Sequence, residues 1–472
     1  MNSVAHPEAR EHFAARSPRR APVPTPRWWR DASAVFGWAA TLFVVALWVA
    51  GGGFTAFGSA GESLTNLGRL SGLLASVLML LQVLLMARIP FVEQAWGQDE
   101  LARVHRLVGF TSFNLMLAHI VLTVLGYNAG TDLGVIGTFL DEVLHSPGLL
   151  LALAGTIALV MVVVTSIKKA RARLRYESWH LLHLYAYLGA GLALPHQLWT
   201  GQDFKSSPTA TVFWWGLYAA ALVSVVAFRV VLPIVRSRRH RLVVSEVVAE
   251  SPTVTSVVVT GRHLDRLPVR AGQFFQWRFL DGPGWTRANP YSLSAAPDGR
   301  SLRITAERVG TSSERLAGLR PGTQVLVEGP YGRLHTGVRT SARTVLIGAG
   351  IGITPLRAIL EELPPSPDGV VVIYRVGSQS DIVLGDELLD LARSKGGRVV
   401  AVVGHRMRDR DSWLPVDAAR LGDAEALLRI VPDIAERDVY VCGNPTWMDA
   451  VITAAHEAGV PREAVHHERF SY

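Results

Sequence analysis

Six apolar segments mark the first half of the chain: Ser33–Phe54, Leu70–Ala87, Leu107–Tyr127, Pro147–Ile167, Trp179–Trp199 and Ala210–Ala227. Each is close to the roughly 20 residues that carry a helix across hydrocarbon, so the pattern predicts six membrane spans. After Arg241 come short alternating or β-branched runs such as Arg241–Val248 and Thr253–Thr260, punctuated by Gly and Pro, which predict strands and turns. From Thr344 the apolar runs Thr344–Ile347, Val370–Tyr374, Val399–Val403 and Asp438–Val441 alternate with helical segments Pro355–Leu363, Gly385–Ser394 and Thr446–Ala458. That alternation predicts a parallel α/β domain. The expected organisation is an arm over residues 1–32, a helical bundle over 33–235, a β domain over 236–338 and an α/β domain over 339–472.

Composition agrees with a chain lying partly in lipid. Only 18% of the 472 residues are charged, against about 25% in ordinary soluble proteins, and the mean hydropathy is +0.25. The formal charge of +8 comes from basic blocks beside the apolar runs, a pattern of membrane orientation rather than of nucleic-acid binding. Arg88, Arg103 and Arg106 lie between spans two and three, five basic residues between Lys168 and Arg175, and Arg236, Arg238, Arg239 and Arg241 after span six. The alternate loops are poor in Lys and Arg, so the positive-inside rule places both termini in the cytoplasm of a multi-pass cell-membrane protein. The arm, with arginines from Arg10 to Arg30 and no apolar run, is expected to be disordered and cytoplasmic, lipid contact through Trp28 and Trp29 being the alternative. A single cysteine, Cys442, excludes an intrachain disulfide framework, a Cys-ligated zinc site and a four-cysteine iron–sulfur cluster.

Ionisable groups inside a span are costly and mark function. Span three carries His105 and His119, and span five carries His180, His183 and His196. The interval from His105 to His119 rises about 21 Å and returns to nearly the same helix face, while that from His183 to His196 rises about 19.5 Å. The depths match, but an ideal helix sets His183 and His196 about 140° apart. Pro195 offers a local distortion. Interhelical hydrogen bonding is the competing reading; bis-imidazole ligation of two hemes accounts for both intervals together.

Two strings make the reading specific: ARIPFVEQAWGQDELARVHRLVG from Ala87, and WHLLHLYAYLGAGLALPH from Trp179. They resemble the ferric-reductase and NADPH-oxidase transmembrane superfamily, whose six-helix cytochrome b holds two hemes between helices three and five. The resemblance implies that His105 and His183 bind the cytoplasmic-side heme and His119 and His196 the outer one, with His180 matching no ligand position.

Farther along stand RANPYSLSAAP (Arg287–Pro297), RVGTSSERL (Arg308–Leu316), GPYG (Gly329–Gly332), TVLIGAGIGITPLRAIL (Thr344–Leu360), the Cys442-Gly443-Asn444-Pro445 turn and a closing HHERFSY. Tyr291, flanked by Pro290 and Ser292 at a strand end, presents a ring and a hydroxyl, although strand packing explains the same residues. Gly310, Thr311, Ser312 and Ser313 open a short helix whose N–H groups suit a diphosphate, or serve as an N-cap. Gly348, Gly350 and Gly352 let backbone approach a pyrophosphate, with Thr354 and Pro355 opening the helix behind.

From about Arg238 onward these motifs resemble the ferredoxin–NADP reductase superfamily, a β-barrel flavin domain followed by a nucleotide domain. The resemblance implies FAD and NAD(P)H as cofactors, Tyr291 against the isoalloxazine, and a residue near Arg287 or Asn289 on the flavin pyrophosphate. It also sets Cys442, with Gly443 and Pro445, beside the nicotinamide, a buried structural thiol being the equal alternative. Phe470 or Tyr472 would stack on the flavin, with Glu468 just before. Arg375, Ser378 and Arg406 stand at strand ends where guanidinium groups suit a 2′-phosphate, or are solvated surface residues.

The fold expected is a six-span membrane bundle fused to a cytoplasmic β-barrel flavin domain and a parallel α/β nucleotide domain. The function implied is electron transfer from cytoplasmic NAD(P)H through FAD and two b-type hemes to an outer acceptor, a ferric chelate first and oxygen second. A heme-free membrane anchor or transporter with a nucleotide module is the alternative of a different class.

Overall fold

In the computed structural model, residues 28–171, 176–205, 207–282, 287–407, 410–418 and 420–469 are described. The chain divides into a helical unit, Pro26–Trp96 with Glu100–Val230, and a second unit that takes Gly97–Asp99 and the chain from Val231 onward.

Among the described residues of the chain, five helical stretches are long and apolar enough to cross a membrane: α1 (Trp28–Ala50), α2 (Ala60–Met86), α3 (Gln98–Asn128), α5 (Leu149–Ser166) and Pro208–His240. Between α3 and α5 lies α4 (Gly134–His145). The expected fifth span is also a helix, α6 (Tyr176–Trp199), with Pro195 inside it. Its 24 residues give about 36 Å of length, yet it is not among the five, because His183, His196 and Gln197 dilute its apolar residues. Helix α1 begins at Trp28, inside the expected arm, of which residues 1–27 lie outside the described residues.

Local chemistry sets the helix ends. Ser59 accepts from the Glu62 N–H and the Glu62 carboxylate accepts from the Ser59 N–H, both at 3.2 Å, a reciprocal cap that starts α2. Ser207 caps α7 (Pro208–Val225), whose first residue is proline. That helix continues through a π-turn, Val226–Val231, into α8 (Leu232–His240). Pro233 has no N–H to give an i−4 carbonyl, which is the kind of interruption that a π-turn accommodates. Arg241 then takes φ 44, and the first strand starts at Leu242, where the hydropathy pattern changes. Helices α1, α2 and α7 share a core of Val44, Trp48, Leu73, Val77, Trp214 and Leu217.

The second unit holds two sheets. The first is antiparallel and comprises β1 (Leu242–Ala249), β2 (Val254–Thr260), β3 (Phe274–Phe279), β4 (Asn289–Ser292), β5 (Ser301–Glu307) and β6 (Gln324–Tyr331), in the order β4-β3-β6-β1-β2-β5. Among the described residues its edge strands meet at the antiparallel bridge Leu293↔Ile304, beside which the Ser294 N–H donates to the Arg303 carbonyl at 2.8 Å, so the sheet curls round on itself. Phe275, Trp277, Leu293 and Ile304 are fully buried at its centre.

The second sheet is parallel: β7 (Thr344–Ala349), β8 (Val370–Val376), β9 (Arg398–Val403), β10 (Asp438–Cys442) and β11 (Val465–His467), ordered β11-β10-β7-β8-β9. Val345 and Ile347 face one core and Leu346 the other, which is why β7 reads as an unbroken apolar run. Helices α9 (Ile353–Glu362) and α10 (Gly385–Ser394) contribute to one layer, α11 (Asp423–Ile430) and α12 (Pro445–Glu457) to the other. Strand order reverses between β7 and β10, so their carboxyl ends open the crevice where such sheets bind ligands.

Candidate functional site

At that crevice Ala349 ends β7 and Cys442 ends β10, with Cys442 paired to Gly348. The glycines between β7 and α9 do different work. Gly350 adopts φ +51 with open space where a side chain would stand, which leaves its backbone approachable. A Cβ on Gly352 would lie 2.4 Å from the Cys442 carbonyl oxygen, so this residue lets the turn press against β10. The Thr354 hydroxyl donates to the Ile351 carbonyl at 2.9 Å, closing the turn ahead of Pro355. Beyond Gly443, Asn444 accepts from the Thr446 N–H at 3.1 Å and Pro445 fills the first position of α12.

Cys442 is 2% exposed and Glu468 5%. Burial first, and the Glu468 carboxylate second, push the thiol up to about 12. A Cβ on Gly332 would meet the Glu468 carboxylate, so the GPYG turn, Cys442 and Glu468 converge at one place. Phe470 and Tyr472 lie outside the described residues.

The flavin-type strand β4 pairs with β3, Tyr291 opposite Phe275 and Asn289 opposite Trp277. The Trp277 indole donates to the Tyr291 carbonyl at 2.9 Å, which fixes the strand end while Asn289, Pro290, Tyr291 and Ser292 stay half-buried. The Ser292 hydroxyl is buried and has no hydrogen-bond partner among the described residues. Arg287 is exposed. Gly310 precedes the short helix Thr311–Glu314, where the Ser313 Oγ accepts from the N–H groups of Val309 at 3.0 Å and Gly310 at 3.2 Å. These two amides are therefore spent on the turn itself, and Ser312 stands beside it half-buried; the side chain of Thr311 lies outside the described residues.

The strand-end residues separate. Arg375 is 6% exposed, and its guanidinium donates to the carbonyls of Trp413, at 3.2 Å, and of Val376. Against the expectation of a phosphate partner, it braces the strand ends from inside. Ser378 accepts from the Ser380 N–H at 3.2 Å and caps a turn. Arg406 is exposed, its guanidinium 3.7 Å from Asp411.

In the helical unit, α3 carries His105 and His119, and α6 carries His183 and His196. The rings of His105 and His183 stand 6.1 Å apart between centroids. Two metal–imidazole bonds of about 2 Å, with half a ring added on each side, span such a gap. His105 Nδ1 donates to the Gln82 carbonyl at 3.2 Å, and His119 Nδ1 to the Gly68 carbonyl at 2.8 Å. A carbonyl only accepts, so both rings carry their proton on Nδ1. His183 Nδ1 lies 3.3 Å from the Ser166 hydroxyl, whose own proton goes to the Val162 carbonyl at 2.7 Å. The same tautomer follows for His183, and in each of the three rings it leaves Nε2 as the nitrogen without a proton. A Cβ on Gly72 would lie 2.6 Å from His119 Nδ1, so that position must be small. His196 lies within electrostatic reach of His119, and its buried Nδ1 has no hydrogen-bond partner among the described residues.

Sequence reasoning missed the groups that hold these rings. Gln82 and Gly68 act through backbone carbonyls, which no side-chain pattern announces. It also missed the buried Arg303 and Arg357 and their half-buried partners Glu361 and Glu387, for Arg357 and Glu361 stand four apart on a helix and read as an ordinary surface pair.

Residues 71–194 match the ferric reductase like transmembrane component, and residues 346–453 match the oxidoreductase NAD-binding domain. Ferredoxin–NADP reductase B of Sorangium cellulosum is 30% identical over 204 residues, which cover 40% of this chain and 80% of that protein. The ferredoxin reductase component of 3-ketosteroid-9-alpha-monooxygenase from Rhodococcus rhodochrous is 29% identical, over 50% of this chain and 66% of that protein. For the flavohemoprotein of Vibrio cholerae the identity is 29%, over 48% of this chain and 58% of that protein. The chain thus spans 66% and 58% of the lengths of these last two relatives. Among solved structures, the flavohem-like FAD/NAD-binding domain of nitric oxide dioxygenase from Vibrio cholerae is 28% identical with a TM-score of 0.40, covering 49% of this chain and 99% of that one. The chain therefore belongs to the ferredoxin–NADP reductase family, with an FAD- and NAD(P)H-binding module joined to a ferric reductase-like transmembrane component in a flavocytochrome b-like architecture.

Proposed function

We propose that this membrane oxidoreductase carries electrons from NAD(P)H on the cytoplasmic face to a ferric chelate outside the cell. In this reading FAD would supply the change from hydride to single electrons and two b-type hemes would relay them across the bilayer. His105 and His183 would hold the cytoplasmic-side heme and His119 and His196 the outer one. The Nδ1 groups of His105, His119 and His183 each meet an acceptor on a neighbouring helix, which orients those three rings. A heme held by two imidazoles would favour electron transfer to an outside acceptor over ligand chemistry at the iron.

In the cytoplasmic module Tyr291 lies against the flavin and the unpartnered Ser292 hydroxyl supplies a hydrogen bond to it. Arg287 neutralises pyrophosphate charge, and the turn from Gly348 to Gly352 receives the nicotinamide diphosphate at the β7/β10 crevice. Cys442 keeps its proton at neutral pH, since burial and Glu468 raise the thiol to about 12, and so serves as a neutral wall rather than a nucleophile. Phe470 or Tyr472 would supply the aromatic ring that stacks on the flavin. Ser378 and Arg406 are left to meet a 2′-phosphate.

The observation that carries the reading is the pair of anchored histidines facing each other, His105 and His183, with their rings 6.1 Å apart. A reduced-minus-oxidised spectrum and a heme-to-protein ratio of the purified full-length protein test it. Two hemes per chain with b-type bands are expected, and a heme-free protein overturns it. Anaerobic reduction of a ferric chelate by NAD(P)H then decides the acceptor, since an enzyme that reduces only oxygen would leave the chelate untouched.

A further inference from the structure

Two arginines and two glutamates are packed together where the antiparallel sheet meets the nucleotide helices. Arg303 on β5 and Arg357 on α9 each have side chains 2% exposed. Arg303 makes a forked pair with Glu387 on α10, both N–O distances being 2.9 Å. Arg357 sets its Nε 2.8 Å from the same Glu387 and pairs through Nη1 with Glu361. Both guanidinium groups also converge on one backbone oxygen, the Ser294 carbonyl, at 3.0 Å from Arg303 and 3.3 Å from Arg357. The Glu361 carboxylate in turn accepts the Ala296 N–H at 2.7 Å. Ser294 itself is fully buried, and its hydroxyl accepts from Thr305 at 2.7 Å and from Arg303 at 3.2 Å.

The placement of these partners matters more than their number. Ser294 and Ala296 follow directly on β4, the strand that carries Tyr291 and Ser292. Arg357 and Glu361 lie on α9, the helix that opens from the Gly348–Gly352 turn, with Arg357 about 7.5 Å of helix beyond Gly352. The cluster therefore ties the end of the flavin strand to the helix behind the nucleotide turn, across two sheets that share no strand pairing. Its charges cancel internally, as burial demands. Apolar residues of similar size commonly give as much stability as a buried ion pair, whereas paired charges tolerate little displacement, so what such a cluster adds is a fixed register between the elements it joins.

We propose that Arg303, Arg357, Glu361 and Glu387 form an ionic clasp that sets the distance between the flavin and nicotinamide sites, and that they are positioning residues for hydride transfer. The proposal rests on the reading that this module passes hydride from NAD(P)H to FAD.

The test is anaerobic stopped-flow reduction of the flavin in the full-length holoprotein, using whichever of NADH and NADPH reduces the unmodified protein faster. Glu361→Gln and Glu387→Gln keep the side-chain shape and remove the charge. Both are expected to retain FAD and an unchanged KM, to slow flavin reduction at least tenfold, and to alter the nicotinamide–flavin charge-transfer absorbance. Reoxidation of photoreduced flavin by ferricyanide, which involves no nicotinamide, should keep the unmodified rate. Hydride-transfer rates within twofold of the unmodified protein in both variants would overturn the clasp. Loss of FAD from both would also overturn it, because the cluster would then be holding the fold rather than the spacing. An unmodified protein whose flavin is not reduced by either nucleotide would instead remove the hydride reading, so the two failures are distinct.

Discussion

In the helical unit the buried rings of His105 and His119 rest on backbone carbonyls at 3.2 and 2.8 Å. In the second unit Arg303 and Arg357 rest on carboxylates as well as on a carbonyl. The difference follows from the surroundings. A span offers little water and few side-chain acceptors, so neutral imidazoles take the i−4 carbonyls' spare lone pairs on the neighbouring helix and fix their tautomer at no cost in charge. The sheet module can assemble opposite charges from several elements and cancel them. The ion pair between Arg69 and Asp203 in the helical unit, at 2.8 Å, has its arginine 31% exposed, and the pair Arg103–Glu100 is more exposed still, in keeping with that rule. Neutral polar contacts hold the imidazole rings in the first unit, and paired charges join separate elements in the second.

The sharpest way to break this comparison is to remove a ring. His119→Leu or His196→Leu should lose about half the heme, by the stoichiometry of two per chain in this account, while substitution of His180 should leave the ratio intact. Heme content per polypeptide is the measurement, and full retention in both single variants would end the assignment. A smaller but still large effect should follow from crowding the ring without touching it. Gly72→Val puts atoms where His119 Nδ1 now lies 2.6 Å from an added Cβ. Overpacking of this kind costs about 1–3 kcal/mol, so the outer heme should be partly lost or shifted in potential while the inner one keeps its spectrum.

The second unit can be probed through pH. Burial first, then the charges of Arg270, Arg333 and His466, hold His335 down to about 3, and its Nδ1 accepts the Gly337 N–H at 3.0 Å. The folded state therefore keeps this ring neutral while the unfolded chain protonates near the ordinary value of 6.5. Stability from this residue is full above that value and falls by about 1.4 kcal/mol for each pH unit below it, down to the folded value. Thermal unfolding of the full-length protein between neutral pH and about two units below should show the slope, and His335→Gln should flatten it.

The smallest effect concerns the choice of nucleotide. Arg406→Ala should lower kcat/KM for NADPH several-fold and leave NADH unchanged, an exposed charge contributing about 1 kcal/mol or less. Arg375→Ala should instead lower the melting temperature and shift both nucleotides alike, because its guanidinium is engaged by the carbonyls of Trp413 and Val376.

That contrast shows where the sequence was legible. Apolar runs located the helices, and the change at Arg241 marked the helix-to-strand boundary, because both depend on local periodicity. The α/β alternation placed the Gly348–Gly352 turn at a strand end for the same reason. Helix α6 was harder: its histidines and Gln197 are what make it interesting and also what lower its hydropathy. The helix runs unbroken from Tyr176 to Trp199 with Pro195 inside it, so the sequence does not by itself reconcile the roughly 140° offset of His183 and His196 with a common face. Arg375 read as exposed because it ends a strand, and only the fold shows the Trp413 segment lying over it. Arg357 and Glu361 read as a surface pair because the segment after β4 that buries them is some sixty residues away in sequence, at Ser294 and Ala296.

The central claim is that electrons cross the bilayer. NAD(P)H enclosed in sealed, oriented vesicles, with an impermeant ferric chelate outside and oxygen excluded so that superoxide cannot carry the electron, tests it directly. The account predicts reduction of the outside chelate, lost in His119→Leu. Reduction that occurs only when chelate and nicotinamide share one face would contradict it, even in a protein that holds flavin and both hemes.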